Sequence, residues 1–175
     1  TRPSVSPLPP NVESVEGYAS LRLSREDGTS KSKLSFLFCF PDQARIEVHD
    51  PLGRAVSLLL FQAEEAFFVL PGKRAYWRAA RQEVMRKLVG FAFHPEDLAE
   101  MLAGRWERLP HWDLENDSQG RVIRGRCEGL QFEVRKFFDR SRVPQHLALS
   151  NGKDTGSLKI LRLGFNQPLK KDVLE

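Results

Sequence analysis

The stretch Arg45-Ile46-Glu47-Val48-His49-Asp50-Pro51-Leu52-Gly53, followed by the apolar run from Ala55 to Gln62, decides the fold. Ile46 and Val48 alternate with Arg45, Glu47 and His49, the two-residue period of a strand with one face in a core and the other in water. Asp50, Pro51 and Gly53 occupy the first, second and fourth positions of a type I turn. Leu52 then falls at the third position, near the tip, where small polar residues are usual. Two readings of Leu52 stay open: folded back onto its own strands, or exposed and touching a membrane or a partner.

Working outward, short alternating runs fill both flanks. Upstream, Val15, Gly17, Ala19, Leu21 and Leu23 share one parity, Glu26-Asp27-Gly28 supplies a turn, and Leu34, Phe36, Phe38 and Phe40 share a face until Pro41-Asp42. Downstream, Ala55 to Gln62 and Ala66 to Leu70 are apolar on both parities, so each is expected to be covered on two faces or to line a cavity. Ala75 to Ala80 reads as a further strand.

Between Arg81 and Arg105 the spacing becomes helical. Val84 and Leu88 share a face with Met85 and Val89, and Gly90 suits the helix end. In a second helix Pro95 fits the first turn, Glu96 and Asp97 complement the dipole, and Leu98, Met101 and Leu102 form the apolar stripe up to Gly104. Strand-like runs then return at 112–116, 121–127, 130–138, 145–150 and 158–165. Sequential hairpins around a two-helix insertion predict an α+β, mainly β fold: a curved antiparallel incomplete barrel with a two-helix lid over an apolar cavity.

The 175 residues suit one domain, expected over 14–170, preceded by a proline-rich tether over 1–13. Pro3, Pro7, Pro9 and Pro10 favour an extended segment that joins no core and holds the domain on the order of 30 Å from an attachment point. Hydrophobic residues at 41% and charged residues at 29% describe a globular chain, and its most apolar run, Val56 to Phe61, is too short for a membrane-spanning helix.

Catalytic and metal-binding patterns are sparse. His49, His94, His111 and His146 stand singly, Cys39 and Cys127 match no CxxC pattern, and no nucleophile elbow, P-loop or dinucleotide fingerprint occurs. The chain is therefore read as not an enzyme, without metal or cofactor. Cys39 and Cys127 are expected as buried free thiols, one disulfide remaining the alternative. Lys and Arg number 27 against 23 acidic residues, a net +4 whose densest segment runs from Lys73 to Lys87. It reads as a solvated face, or as one attracted to acidic lipid or an acidic partner; nucleic acid is not expected. Twelve phenylalanines against two tyrosines favour apolar surface without polar handles, suited to a core or to a pocket for a flexible hydrocarbon.

The strand, Pro51-Leu52-Gly53 turn and strand resemble those of LolB, the bacterial outer-membrane lipoprotein receptor. Glu83 to Phe91 with Pro95, Leu98 and Leu102-Ala103-Gly104 is similar to the family's paired helices, and Val143 to Leu147, Asn151-Gly152 and Leu158 to Leu163 to its final hairpin. The resemblance, over about 14–167, implies a half-barrel that takes lipoprotein acyl chains from a LolA-like periplasmic carrier and inserts them into outer-membrane lipid. It implies a membrane-insertion loop at Pro51, Leu52 and Gly53, with Leu52 as the protruding residue. Strand parity and helix stripe nominate Phe36, Phe38, Leu59, Phe61, Phe68, Met85, Leu88, Phe91, Met101, Phe132 and Leu147 as the acyl-cavity lining. The resemblance further implies the periplasmic face of the outer membrane, anchorage by an acylated Cys preceding Thr1, and a monomer. The alternatives are a related periplasmic lipid or glycolipid carrier of the same fold and, from another class, a basic nucleic-acid-binding domain.

Overall fold

The computed structural model describes residues 2–62 and 65–168, leaving aside the side chains of Gln82, Leu88 and Val89. One open antiparallel sheet organises the chain. Its first meander comprises β2 (Ser14–Arg25), β3 (Gly28–Cys39), β4 (Gln43–His49), β5 (Ala55–Gln62), β6 (Glu65–Leu70) and β7 (Ala75–Ala79). The second comprises β8 (Asp113–Asn116), β9 (Val122–Cys127), β10 (Leu130–Phe137), β11 (Pro144–Ser150) and β12 (Thr155–Phe165). Spatial order runs β7-β6-β5-β4-β3-β2-β12-β11-β10-β9-β8, so the two meanders join where β2 meets β12. That seam runs from Phe165 opposite Val15 to Thr155 opposite Ser24.

This order dictates the position of the helices. β7 and β8 are the two opposite edges, so the chain between them must cross an entire face of the sheet. It does so through α1 (Arg81–Val89) and α2 (Pro95–Leu102), which cover the apolar parity of the strands. Val15, Ala19, Ile46, Leu59, Phe61, Leu147 and Ile160 from the sheet and Val84, Met85, Met101 and Leu102 from the helices are buried in one core. Each fully buried Leu or Phe stabilises the fold by roughly 1.5–3 kcal/mol.

The proline-rich segment differs from expectation. β1 (Ser4–Val5) pairs in parallel with Arg162 and Leu163 of β12, along the side that β11 leaves free, and Ser6 accepts the N–H of Phe165 at 3.0 Å. Val5 packs against the core and Val12 is buried within it. Pro7 to Pro10 therefore link β1 to β2, and the reach expected for a free ten-residue stalk is lost. The residue after β12 supplies the matching contact: Asn166 Oδ1 accepts the N–H groups of Glu13 and Ser14 at 2.7 and 3.1 Å.

The doubly apolar parities of β5 and β6 also resolve. Leu59 and Phe61 face the core, whereas Leu58, Leu60, Phe67 and Val69 pair across the outer face and stay half-buried there. The Arg78 guanidinium lies 5.5 Å from the Phe67 ring centroid and shields it in place of a second layer. Cys39 and Cys127 are free, half-buried thiols with raised pKa values, burial being the main cause in both.

Candidate functional site

The β4–β5 turn carries the most exposed of the large hydrophobic side chains described. Leu52 is 78% exposed, and Asp50 fixes the turn beneath it. Asp50 Oδ1 accepts the N–H groups of Leu52 and Arg54 at 2.9 Å each, and its Oδ2 accepts Arg54 Nε at 2.8 Å. Gly53 takes a positive φ of 83°, and its N–H reaches the Asp50 carbonyl at 2.9 Å. The reading of Leu52 as folded back on its own strands is thus excluded. Asp50 has a lowered pKa, first because the Arg54 main-chain N–H bonds to its carboxylate.

Arg54 spends its Nε on this clip while the rest of its side chain stays exposed. The basic segment from Lys73 to Lys87 does not form one uniform patch. Arg78 pairs with Glu65, Arg81 with Glu96 and Arg86 with Glu83, and Lys87 lies 5.1 Å from the Trp77 ring centroid. Lys73 and Arg74 stand exposed in the β6–β7 turn, at the same end of the sheet as Leu52.

The nominated cavity residues do converge beneath the helices. Phe36, Phe38, Leu59, Phe61, Met85, Phe91, Met101, Phe132 and Leu147 all belong to the buried core. They pack as a solid interior, however, and not as the wall of an open hollow. A wall facing open space keeps surface that water can touch, and Leu59, Phe61, Met85, Met101 and Leu147 keep none. Apolar side chains at this density fill the space under a lid by meeting one another. Leu88 was nominated too; its side chain lies outside the described residues.

Phe68 is the exception. It is half-buried near the β7 edge, tilted against Trp77 at 5.4 Å between centroids, and Trp77 is itself 43% exposed. Phe68 lies on β6, the strand that α1 packs beside, and Trp77 on the edge strand β7.

The two helices are held differently. α1 meets the sheet through the buried Val84 and Met85, and through Arg81, which bonds the Asp42 carbonyl at 3.2 Å and lies over Phe61. In α2 two of the three acidic residues, Asp97 and Glu100, are buried. Asp97 Oδ2 accepts Trp112 Nε1 at 3.1 Å and pairs with His111 Nε2 at 2.7 Å. Glu100 pairs with Arg105 at 2.7 Å, and Arg105 bonds the Val12 carbonyl and lies 4.2 Å from the Phe40 ring centroid. Burial raises the Glu100 pKa against the opposing pull of Arg105. The sequence reading gave Asp97 to the helix dipole and missed this anchor; only the proximity of His111-Trp112 to an inward Asp could have signalled it.

In sequence the chain matches no family model and no curated protein. In structure it resembles a domain from Vibrio parahaemolyticus described as an outer membrane lipoprotein-sorting protein domain, with TM-score 0.64 and 10% identity over 93% of this chain and 89% of that one. A DUF1329 family protein from Desulfovibrio piger gives TM-score 0.65 at 9% identity over 95% and 91%. A LolA superfamily protein from Nitrosomonas europaea gives 0.65 at 9% over 93% and 90%. The fold is therefore the LolA/LolB-like half-barrel.

Proposed function

We propose that this half-barrel accepts lipoprotein acyl chains from a LolA-like periplasmic carrier and releases them into outer-membrane lipid. The observation that carries the reading is Leu52, 78% exposed and held out at the end of the sheet on an Asp50-clipped turn. An aliphatic side chain fixed in water has no folding role there, and burying it in lipid is favourable by roughly 1.5–3 kcal/mol, enough for a transient touch.

The interior supports the cargo side of the proposal by composition. Bringing one long acyl chain into water costs on the order of 10 kcal/mol, so a carrier must pass the chain between apolar environments. The Phe-rich core, with Met85 and Met101 on the helices, offers adaptable surface once α1 moves from the β6–β7 edge. Entry past Phe68 and Trp77 is part of the proposal. So is attachment through an acylated cysteine preceding Thr1, which mass spectrometry of protein extracted from membranes tests.

Reconstituted transfer is the deciding experiment. Leu52→Glu should leave folding and acceptance of lipoprotein from the carrier intact and slow release into liposomes; unchanged release rejects the role. A second reading, a related periplasmic lipid or glycolipid carrier of the same fold, is favoured by the structural likeness to a LolA superfamily protein. Mass spectrometry of extracted ligand separates the two.

A further inference from the structure

One cavity lies on the face of the sheet away from the helices. It is a groove of about 750 Å³ on the outer face of the second meander, within the size range of small-molecule sites. Arg22, Arg124, Arg126 and Arg135 stand around it, and Ala148 and Ser157 lie between them. Register explains the arrangement. Glu133, Ala148, Ser157, Arg22 and Lys31 follow one another on adjacent strands, so all five share the outer face. One row along, His146 faces Lys159.

Four arginines and three acidic residues line this groove, an excess of one positive charge, and Lys31 and Lys159 flank it on the same face. Arg124 pairs with Glu115 at 3.2 Å and with Glu133 at 3.9 Å, which uses both acids. Asp113 stands opposite Arg126. Arg22, Lys31, Arg135 and Lys159 make no ion pair among the described residues. Arg22 and Lys31 are directly opposite each other across β2 and β3, an arrangement that repels. His146 Nε2 lies 2.7 Å from Ser157 Oγ in the midst of these cations. Its pKa is lowered by burial first and then by Lys159 and Arg135.

We infer that this groove binds a phosphate-bearing ligand, with Arg22 and Arg135 as its charged clamps and Ser157 and His146 as hydrogen-bonding partners. A phosphate offers several acceptor oxygens at once, which guanidinium forks, a hydroxyl and an imidazole can share. The concave shape favours a headgroup or soluble phosphate that enters over the flat surface of another globular protein. The inference is independent of lipoprotein delivery, because it uses the face of the sheet opposite the helices.

The test is an NMR titration of the whole chain with sodium pyrophosphate at fixed ionic strength. Saturable shifts confined to Ala148, Ser157, His146 and their neighbours are expected, together with a rise in the His146 titration midpoint that sodium chloride does not reproduce. Arg22→Gln/Arg135→Gln, two exposed changes whose folding the same spectra verify, should weaken binding by about tenfold or more. Phosphatidylglycerol vesicles that compete for the same resonances identify a lipid headgroup as the source; vesicles without effect identify a soluble phosphate. Shifts spread over every surface cation, no saturation, or equal binding by the double variant would overturn the inference.

Discussion

Arg54 closes on Asp50 from two directions, its main-chain N–H at 2.9 Å from Oδ1 and its Nε at 2.8 Å from Oδ2. Arg121 does the same to Asp117, at 2.9 and 3.0 Å, in the turn between β8 and β9. Both turns read Asp-x-x-Gly-Arg, and Gly53 and Gly120 take φ values of 83° and 78°. One turn presents Leu52 and the other Gln119 at the same position, so the clip is a general device and the side chain it presents is the variable part.

Asp50→Ala removes three acceptor contacts to this turn and leaves Leu52 in place. Release into liposomes should slow in the same direction as in Leu52→Glu, with a small fall in the denaturant midpoint at neutral pH. Asp50→Asn keeps an oxygen for the two main-chain N–H groups and should fall between Ala and the parent.

Titration gives a second check on the clip. The Asp50 pKa is lowered, chiefly by the Arg54 main-chain N–H, below its unfolded value of about 3.9. A depressed carboxylate contributes stability in full above the unfolded pKa and loses it as pH falls through the folded value. The Leu52 amide resonance should therefore hold steady from pH 7 to about 4 and move only below that. Movement centred near pH 5 or 6 would contradict the clip.

Asp97 makes a different prediction, about the lid. Asp97→Ala leaves the Trp112 indole N–H without its acceptor in a buried site, a loss of about 1–3 kcal/mol in unfolding free energy. Asp97→Asn keeps an acceptor oxygen and should cost less. Denaturant midpoints measure both, and Trp112 emission, set against the other two tryptophans by substitution, reports whether the indole has gained water.

Local pattern made much of this legible. Alternation located β2 to β4, the change of period located α1 and α2, and the positions of Asp50, Pro51 and Gly53 in the turn located Leu52. Contacts between distant segments were not legible in that way. The β2–β12 seam joins residues more than a hundred positions apart, and β1 becomes a strand only because β12 extends beyond β11. Parity could name Leu59 or Phe132 as inward, but inward residues line a hollow or fill a core according to how closely the helices sit. The outer groove is equally a product of pairing, since Arg22, Ser157 and Glu133 carry no common motif until β2, β12, β11 and β10 align.

Gly125 tests how tightly that interior is closed. A Cβ built on it would lie 2.7 Å from Phe132 Cζ and 3.0 Å from a Leu114 methyl, and Phe132 in turn stacks on Trp106 and tilts against Trp112. The ring cannot retreat without moving both indoles. Gly125→Ala should therefore destabilise the fold by about 1–3 kcal/mol, the usual cost of overpacking a filled core. If a hollow lay behind Phe132, the ring would swing into it and the denaturant midpoint would stay near that of the parent chain. The measured shift thus distinguishes a packed interior from a spacious one without any ligand.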